Sequence, residues 1–137
     1  MMKNLVVKES PEIQEFNLEG VRHISAEDAY GLLSQQRAIL LDVREREEYE
    51  VERVALSMVL HYPMPKVIDN IQELPSHKLI IVMDSLGERG TKVANLLNMQ
   101  GFGQVANLDG GLVQWKAGGF PVEDILPDAC DGCCGCG

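Results

Sequence analysis

Cysteine is missing from the first 129 of the 137 residues; all four lie in the last eight, as Cys130, Cys133, Cys134 and Cys136. A small secreted fold stapled by disulfides spreads its cysteines through the region that forms the core, so that class is excluded. Packing alone must hold the body together. Long apolar runs are missing too. The longest, such as Leu79-Ile80-Ile81-Val82-Met83, fall far short of the ~20 residues of a membrane-spanning helix. Before Glu12 there is only a three-residue apolar stretch, ended by Lys8 and Glu9, too short for the apolar region of a secretory signal. Positive charge is scarce: 12 Lys and Arg stand against 21 Asp and Glu, a formal charge of −9. Phosphate backbones and anionic lipid would repel such a chain, which argues against nucleic acid and membrane surfaces as partners. There is no internal repeat, and the expected location is the cytosol.

What is present is ordinary globular composition, 45% hydrophobic and 24% charged, at a length that suits one domain with a real core. Residues 1–20 form a weakly patterned lead-in punctuated by Pro11 and Gly20. From Val21 to Val122 strand and helix signals alternate. Val21–Ile24 reads as a short strand, and Ser25 as the N-cap of a helix striped by Ala29, Tyr30, Leu32 and Leu33. Ala38–Leu41 is a strand buried on both faces. Arg44–Arg53 is partly helical with an exposed, mixed-charge face, and Met58–Leu60 is another short strand. Val67, Ile68, Ile71 and Leu74 make a helical stripe ended by Pro75. Lys78–Met83 is the strongest strand, followed by a polar turn and a helix carrying Val93, Ala94, Leu96 and Leu97. Gln104–Leu108 is a strand and Gly110–Ala117 a short last helix, on which Trp115 is a packing residue. Repeated βα units imply a mostly parallel sheet covered by helices. Residues 123–137 lose all periodicity, and their glycines predict a flexible end.

Ligands of open parallel sheets bind at the carboxyl ends of the strands, where a loop leads into a helix. Here that loop is Asp84-Ser85-Leu86-Gly87-Glu88-Arg89-Gly90. A tight loop entering a helix aims several N–H groups at one point, a cradle suited to an anion, and Arg89 offers a charged fork. A plain βα connection with a solvated arginine is the competing reading. Of the histidines, His77 reads as a solvated turn residue and His23 as part of its strand; His23, His61 and His77 show no metal-ligand spacing.

Three stretches resemble the rhodanese (thiosulfate sulfurtransferase) homology domain. They are His23–Ala29 leading to Leu41-Asp42-Val43-Arg44-Glu45 with Glu48-Tyr49, the strand-loop-helix from Ile80 to Leu97, and Asn107-Leu108-Asp109-Gly110-Gly111 with Trp115, Gly119, Phe120 and Pro121. The resemblance implies an α/β fold, a single domain over residues 21–122 with a five-stranded, mostly parallel sheet flanked by helices. It also implies a supporting ion pair at Asp42 and Arg44. Active members carry a cysteine at the first loop position, which takes a sulfane sulfur from a donor, becomes a persulfide among the N–H groups, and passes the sulfur to a thiol or cyanide. Four residues separate Asp84 from Arg89, the sulfurtransferase spacing; related phosphatases and arsenate reductases place five.

The position implied for the nucleophile is Asp84, and a carboxylate cannot form a persulfide. Other positions of the pattern differ as well: Glu52-Arg53-Val54-Ala55-Leu56-Ser57 stands where Gly-His-Ile-x-Gly-Ala is usual, and Leu86 replaces a small polar residue. An aspartate in an N–H cradle would act as a built-in anion. The expectation is a pseudoenzyme at this loop, with Asp84 and Arg89 at the catalytic positions and Ser85, Leu86, Gly87, Glu88 and Gly90 completing the cradle.

The tail Cys130-Asp131-Gly132-Cys133-Cys134-Gly135-Cys136-Gly137 packs four thiols into seven positions. Three readings stay open: binding of Zn(II) or Cu(I) by thiolates, mobile thiol chemistry that carries sulfur or exchanges disulfides, and no chemistry. The domain itself requires no cofactor. From Val122 to Cys133 is eleven residues, up to ~36 Å if extended, so a tail thiol can reach the loop, although Asp84, Asp128 and Asp131 repel a thiolate there. The implied partners are a small sulfur donor or acceptor in sulfur metabolism or, in the competing class, a protein docked by a non-enzymatic module. The sequence leaves oligomeric state open.

Overall fold

The computed structural model describes residues 6–124. The tail cysteines Cys130, Cys133, Cys134 and Cys136 therefore lie outside the described residues. Short apolar segments build the centre of a six-stranded sheet: β1 (Val7–Lys8), β2 (His23–Ile24), β3 (Ala38–Asp42), β5 (Val59–His61), β6 (Leu79–Met83) and β7 (Val105–Leu108), in the order β1-β2-β7-β6-β3-β5. The five strands from β2 to β5 run parallel, and β1 joins the β2 edge antiparallel, Val7 opposite Ile24. The expected five-stranded parallel sheet thus gains a sixth, two-residue strand from the lead-in. A separate antiparallel pair joins β4 (Glu52–Val54) to β8 (Val122–Asp124), with Glu52 opposite Asp124.

Pleating sends successive side chains to opposite faces, and each face has its own core. Ile24, Leu40, Ile81, Met83 and Leu108 pack with α1 (Ala26–Ser34) and α4 (Gly111–Ala117), where Trp115 is fully buried against Tyr30 and Phe120. Leu41, Ile80, Val82 and Val105 pack on the other face with Val93, Ala94 and Leu97 of α3 (Glu88–Met99). Ser25 caps α1, its Oγ accepting the Asp28 N–H at 3.1 Å. The stripe from Val67 to Leu74 is not an α-helix but short 3-10 turns at Met64–Lys66 and Ile68–Glu73, broken at Asn70 (φ −113°, ψ 17°). Pro63, Pro65 and Pro75 hem in a segment too short to repay helix nucleation. The charged run folds as α2 (Arg46–Val51) and then β4. Its first arginine is not solvated: Arg44 is buried and forks onto buried Asp42 at 2.8–3.2 Å.

Candidate functional site at the β6–α3 loop

The loop from Asp84 to Gly87 leaves the central strand at its carboxyl end and feeds directly into α3. Gly87 has φ +110°, a left-handed turn that any Cβ would strain, and this turn bends the chain over Asp84. The Asp84 side chain points inward and is buried. Its Oδ1 accepts the Gly87 N–H at 2.6 Å, and its Oδ2 accepts the Arg89 N–H at 2.9 Å. The guanidinium of Arg89 lies against the same oxygen, Nε to Oδ2 3.4 Å. Two of the loop's backbone donors, the Gly87 and Arg89 N–H groups, are thus met by the loop's own carboxylate.

Arg89 is occupied on its other side. Its two terminal nitrogens fork onto Glu48 of α2, Nη1 to Oε1 2.8 Å and Nη2 to Oε2 3.0 Å. Glu48 also takes the Glu45 N–H at 2.8 Å and the Ser85 hydroxyl at 3.3 Å. These bonds, Arg89's foremost, outweigh partial burial and hold the Glu48 carboxyl well below its usual range, at about 2; the pairing raises Arg89 in turn, although partial burial opposes it. A guanidinium clamped between two carboxylates has little charge left for an incoming anion. Glu48 entered the sequence reading only as part of a motif; its place opposite Arg89, 41 residues away, has no local signal.

The loop's other flank is held by α4 and by the lead-in. The Leu112 and Val113 N–H groups, free at the start of α4, donate to the Asp84 and Ser85 carbonyls at 2.8 and 3.1 Å. That approach needs Gly111, where a Cβ would stand 2.5 Å from both carbonyl oxygens. Gln14 reaches between the ends of β6 and β7. Its Nε2 donates to Thr91 Oγ1 and the Gly87 carbonyl, and its Oε1 accepts from Asn107 Nδ2 and the Gly110 N–H, at 2.9–3.3 Å. Asp109, after β7, accepts the N–H groups of Glu12, Ile13 and Gln14 at 2.6–3.0 Å. The lead-in is therefore part of the site's frame, which its weak patterning did not reveal. His23 is buried beneath this frame. Asn107 Nδ2 faces its Nδ1 at 3.2 Å and Asn17 Oδ1 its Nε2 at 2.8 Å, which fixes a neutral ring protonated at Nε2.

Among the remaining predicted loop residues, Ser85 bridges Glu48 and Arg89, Glu88 pairs with Lys92 on the surface at 3.5 Å, and Gly90 packs against the Asn107 amide. Leu86 points outward, 64% exposed. It has company: Ile13, Val113 and Val51 are also exposed around the loop's mouth. His61 Nε2 donates to the Arg44 carbonyl and its ring stacks on Tyr49, while His77 is exposed. Among the described residues no His, Cys, Asp or Glu cluster could hold a metal ion, and no helix is long and apolar enough to cross a membrane.

Comparison with known proteins gives this geometry its context. A family model described as the rhodanese-like domain matches residues 25–118. The thiosulfate sulfurtransferase GlpE of Coxiella burnetii is 32% identical over 96 residues, 70% of this chain and 88% of that protein. The YibN protein of Escherichia coli is 31% identical over 104 residues, 74% and 72% of the two chains. Among solved structures, the rhodanese-like domain of an Anabaena protein superposes with a TM-score of 0.68 at 29% identity over 76% of this chain and 80% of that one. A rhodanese-related protein from Thermoplasma volcanium gives 0.66 at 25% identity over 74% and 96%. With the family model covering both flanking helices and the loop between β6 and α3, the chain belongs to the rhodanese-like domain family.

Proposed function

We propose that this protein works in sulfur relay without using its loop as the sulfur carrier. Asp84 takes the place of the family's nucleophilic cysteine, and sulfur is carried by the C-terminal thiols Cys130, Cys133, Cys134 and Cys136. One observation supports the reading above the others: the Asp84 carboxylate already accepts the Gly87 and Arg89 N–H groups that a bound anion or persulfide would need. The Glu48 clamp on Arg89 works in the same direction. Thiosulfate is the donor named for the Coxiella burnetii relative. A tail thiolate attacking its outer sulfur forms a Cys–S–S⁻ persulfide as the sulfur–sulfur bond of the donor breaks and sulfite leaves with the electron pair. The persulfide then yields that sulfur to an acceptor thiolate and regenerates the cysteine. Persistent free thiols fit a reducing compartment such as the cytosol.

Two measurements test this. The full chain with all four tail cysteines changed to Ser should show no thiosulfate:cyanide turnover; turnover in that variant returns the chemistry to the loop. Mass spectrometry of the native chain after exposure to thiosulfate or polysulfide should show added sulfur on the tail peptide. A tail that stays unmodified favours the second reading, a non-enzymatic docking module, which the exposed apolar residues at the loop's mouth also suit. In that reading the tail holds Zn(II) or Cu(I), and metal uptake should fall when Cys130–Gly137 is removed.

A further inference from the structure

At the amino ends of the parallel strands, away from the Asp84 loop, lies a cavity of about 300 Å³, a size at the lower end of the roughly 300–1,000 Å³ of small-molecule sites. Half-buried Val7, Leu32 and Leu79 and buried Val105 give it an apolar lining, and its two charged members, Arg22 and Arg37, are exposed. No acidic side chain lines it, in a chain that has 21. Arg44, Arg46, Arg53 and Arg89 each pair with a carboxylate elsewhere. The two remaining arginines are Arg22 and Arg37, which have no ion-pair partner among the described residues. Arg37 meets only the neutral Gln35 Oε1 there, at 3.5 Å. Both backbones are fixed. Gln36 ends α1 in the left-handed region, φ +61°, and the Gln36 and Arg37 N–H groups donate to the Leu33 and Leu32 carbonyls at 3.0 and 2.9 Å. This one turn sets Arg37 beside Leu32. The Arg22 carbonyl accepts the Asn107 N–H at 2.8 Å, which ties it to β7.

We infer that this cavity binds a small organic acid, an apolar body carrying one carboxylate, with the body on Val7, Leu32, Leu79 and Val105 and the carboxylate held by Arg22 and Arg37. Charge complementarity names the headgroup. A guanidinium presents its N–H donors as a planar fork that matches the two oxygens of a carboxylate, and these two forks are not already taken up by acids of the described chain. The apolar lining names the body, which leaves water as it enters. The helices bound the charge. α1 and α3 both end shortly before the strands that begin at this end of the sheet, and the carbonyls of a helix C-terminus carry partial negative charge. Two guanidinium groups offset that field for a monoanion, and less well for a phosphate dianion. The cavity shares no residue with the Asp84 loop, so this inference goes beyond the relay reading and each can fail alone.

The test titrates the full chain, labelled for amide NMR, with octanoate, hexanoate, 1-octanol, octylammonium and octyl phosphate. Octanoate should shift the amides of Val7, Leu32, Arg37 and Leu79 in a saturable way. Hexanoate should bind about tenfold more weakly, since two methylenes are lost from the apolar lining. 1-Octanol should bind more weakly than octanoate, and octylammonium should leave these amides unmoved. Arg22→Gln and Arg37→Gln, both at exposed positions, should each weaken octanoate about fivefold and leave 1-octanol and the urea midpoint unchanged. Equal affinity for octanoate and 1-octanol, tighter binding of octyl phosphate than of octanoate, or shifts at Leu86 and Val113 in place of the cavity would each overturn the inference.

Discussion

Two aspartates stand at the carboxyl ends of neighbouring parallel strands and meet the same need with different suppliers. Asp84, after β6, takes N–H groups from three and five residues further along its own loop. Asp109, after β7, takes three N–H groups from residues 95 to 97 positions earlier in the chain. Each carboxylate fills a nest of backbone donors, but only the first closes a local loop; the second fastens the lead-in to the body of the domain. The difference teaches where function and stability reside. The local nest ties down its own loop, whereas the distant one carries the order of a whole segment. Removing the distant anion should therefore cost more. Asp109→Ala is expected to destabilise the domain by about 3 kcal/mol, since three partly buried donors lose a charged acceptor. Urea unfolding measures the loss, and faster hydrogen exchange confined at first to Glu12–Gln14 would locate it. Gln14→Ala, which leaves Asp109 in place but unties the loop from β7, should cost less, about 2 kcal/mol.

That ordering also explains what could be read from the sequence. The parallel sheet, the Asp84–Gly90 loop and the Ser25 cap were legible because each is written in consecutive residues: apolar strand runs, a glycine turn before a helix, a hydroxyl three residues ahead of its N–H. β1 and Gln14 were not legible. The two residues Val7 and Lys8 form a strand only because the β2 edge is open beside them, and nothing near Gln14 announces partners at Thr91, Asn107 and Gly110. Arg44 was legible only through the family resemblance, which implies its ion pair with Asp42. The run of charges that it opens reads as a solvated face, yet Asp42 and the carbonyls of Glu48 and Glu52 together take its guanidinium and bury it. The same is true of Glu48: its spacing suits an exposed helix, and its role appears only when α2 is set against the loop.

The local nest can be broken with less damage and a clearer chemical readout. Asp84→Ala should cost about 1 kcal/mol, because part of the loop can turn its freed donors to water. It should also open an anion site. Adding thiosulfate or sulfate in the millimolar range should then raise the melting temperature of the variant, as mass action requires of any ligand that binds only the folded state, and leave the native protein unmoved. A native protein that responds as strongly as the variant would show that the Asp84 carboxylate does not fill its cradle. Asp84→Cys tests the same nest with a thiol: persulfide formation on that residue after thiosulfate treatment is expected to be slow unless Glu48→Gln is added, since Glu48 otherwise keeps Arg89 engaged.

The smallest effects come from protons, and they should separate the two regions by pH. Glu48, beside the Asp84 loop, is held at about 2 against an ordinary 4.5. A depressed carboxyl contributes stability that is complete above the ordinary value and is lost as pH falls through the lowered one. Native protein should therefore exceed Glu48→Gln in stability by about 1 kcal/mol or less at neutral pH, the pair being partly exposed, and the gap should close between pH 4.5 and 2. His23, in the frame around β7, is pushed below its ordinary 6.5 by burial, against the pull of Asp109. For a base the sign of the folding term reverses: the folded state resists the proton, so its stability begins to fall as pH drops below 6.5. Asn107 makes the reason concrete, because its amide donates toward His23 Nδ1 and leaves a second proton there no acceptor. Stability measured against His23→Gln should diverge first, as pH drops below 6.5, with exchange rising at Asn17 and Asn107 while the Arg89–Glu48 clamp stays closed. If the clamp loosens in that upper window, the two regions are coupled through Gln14 and behave as one unit.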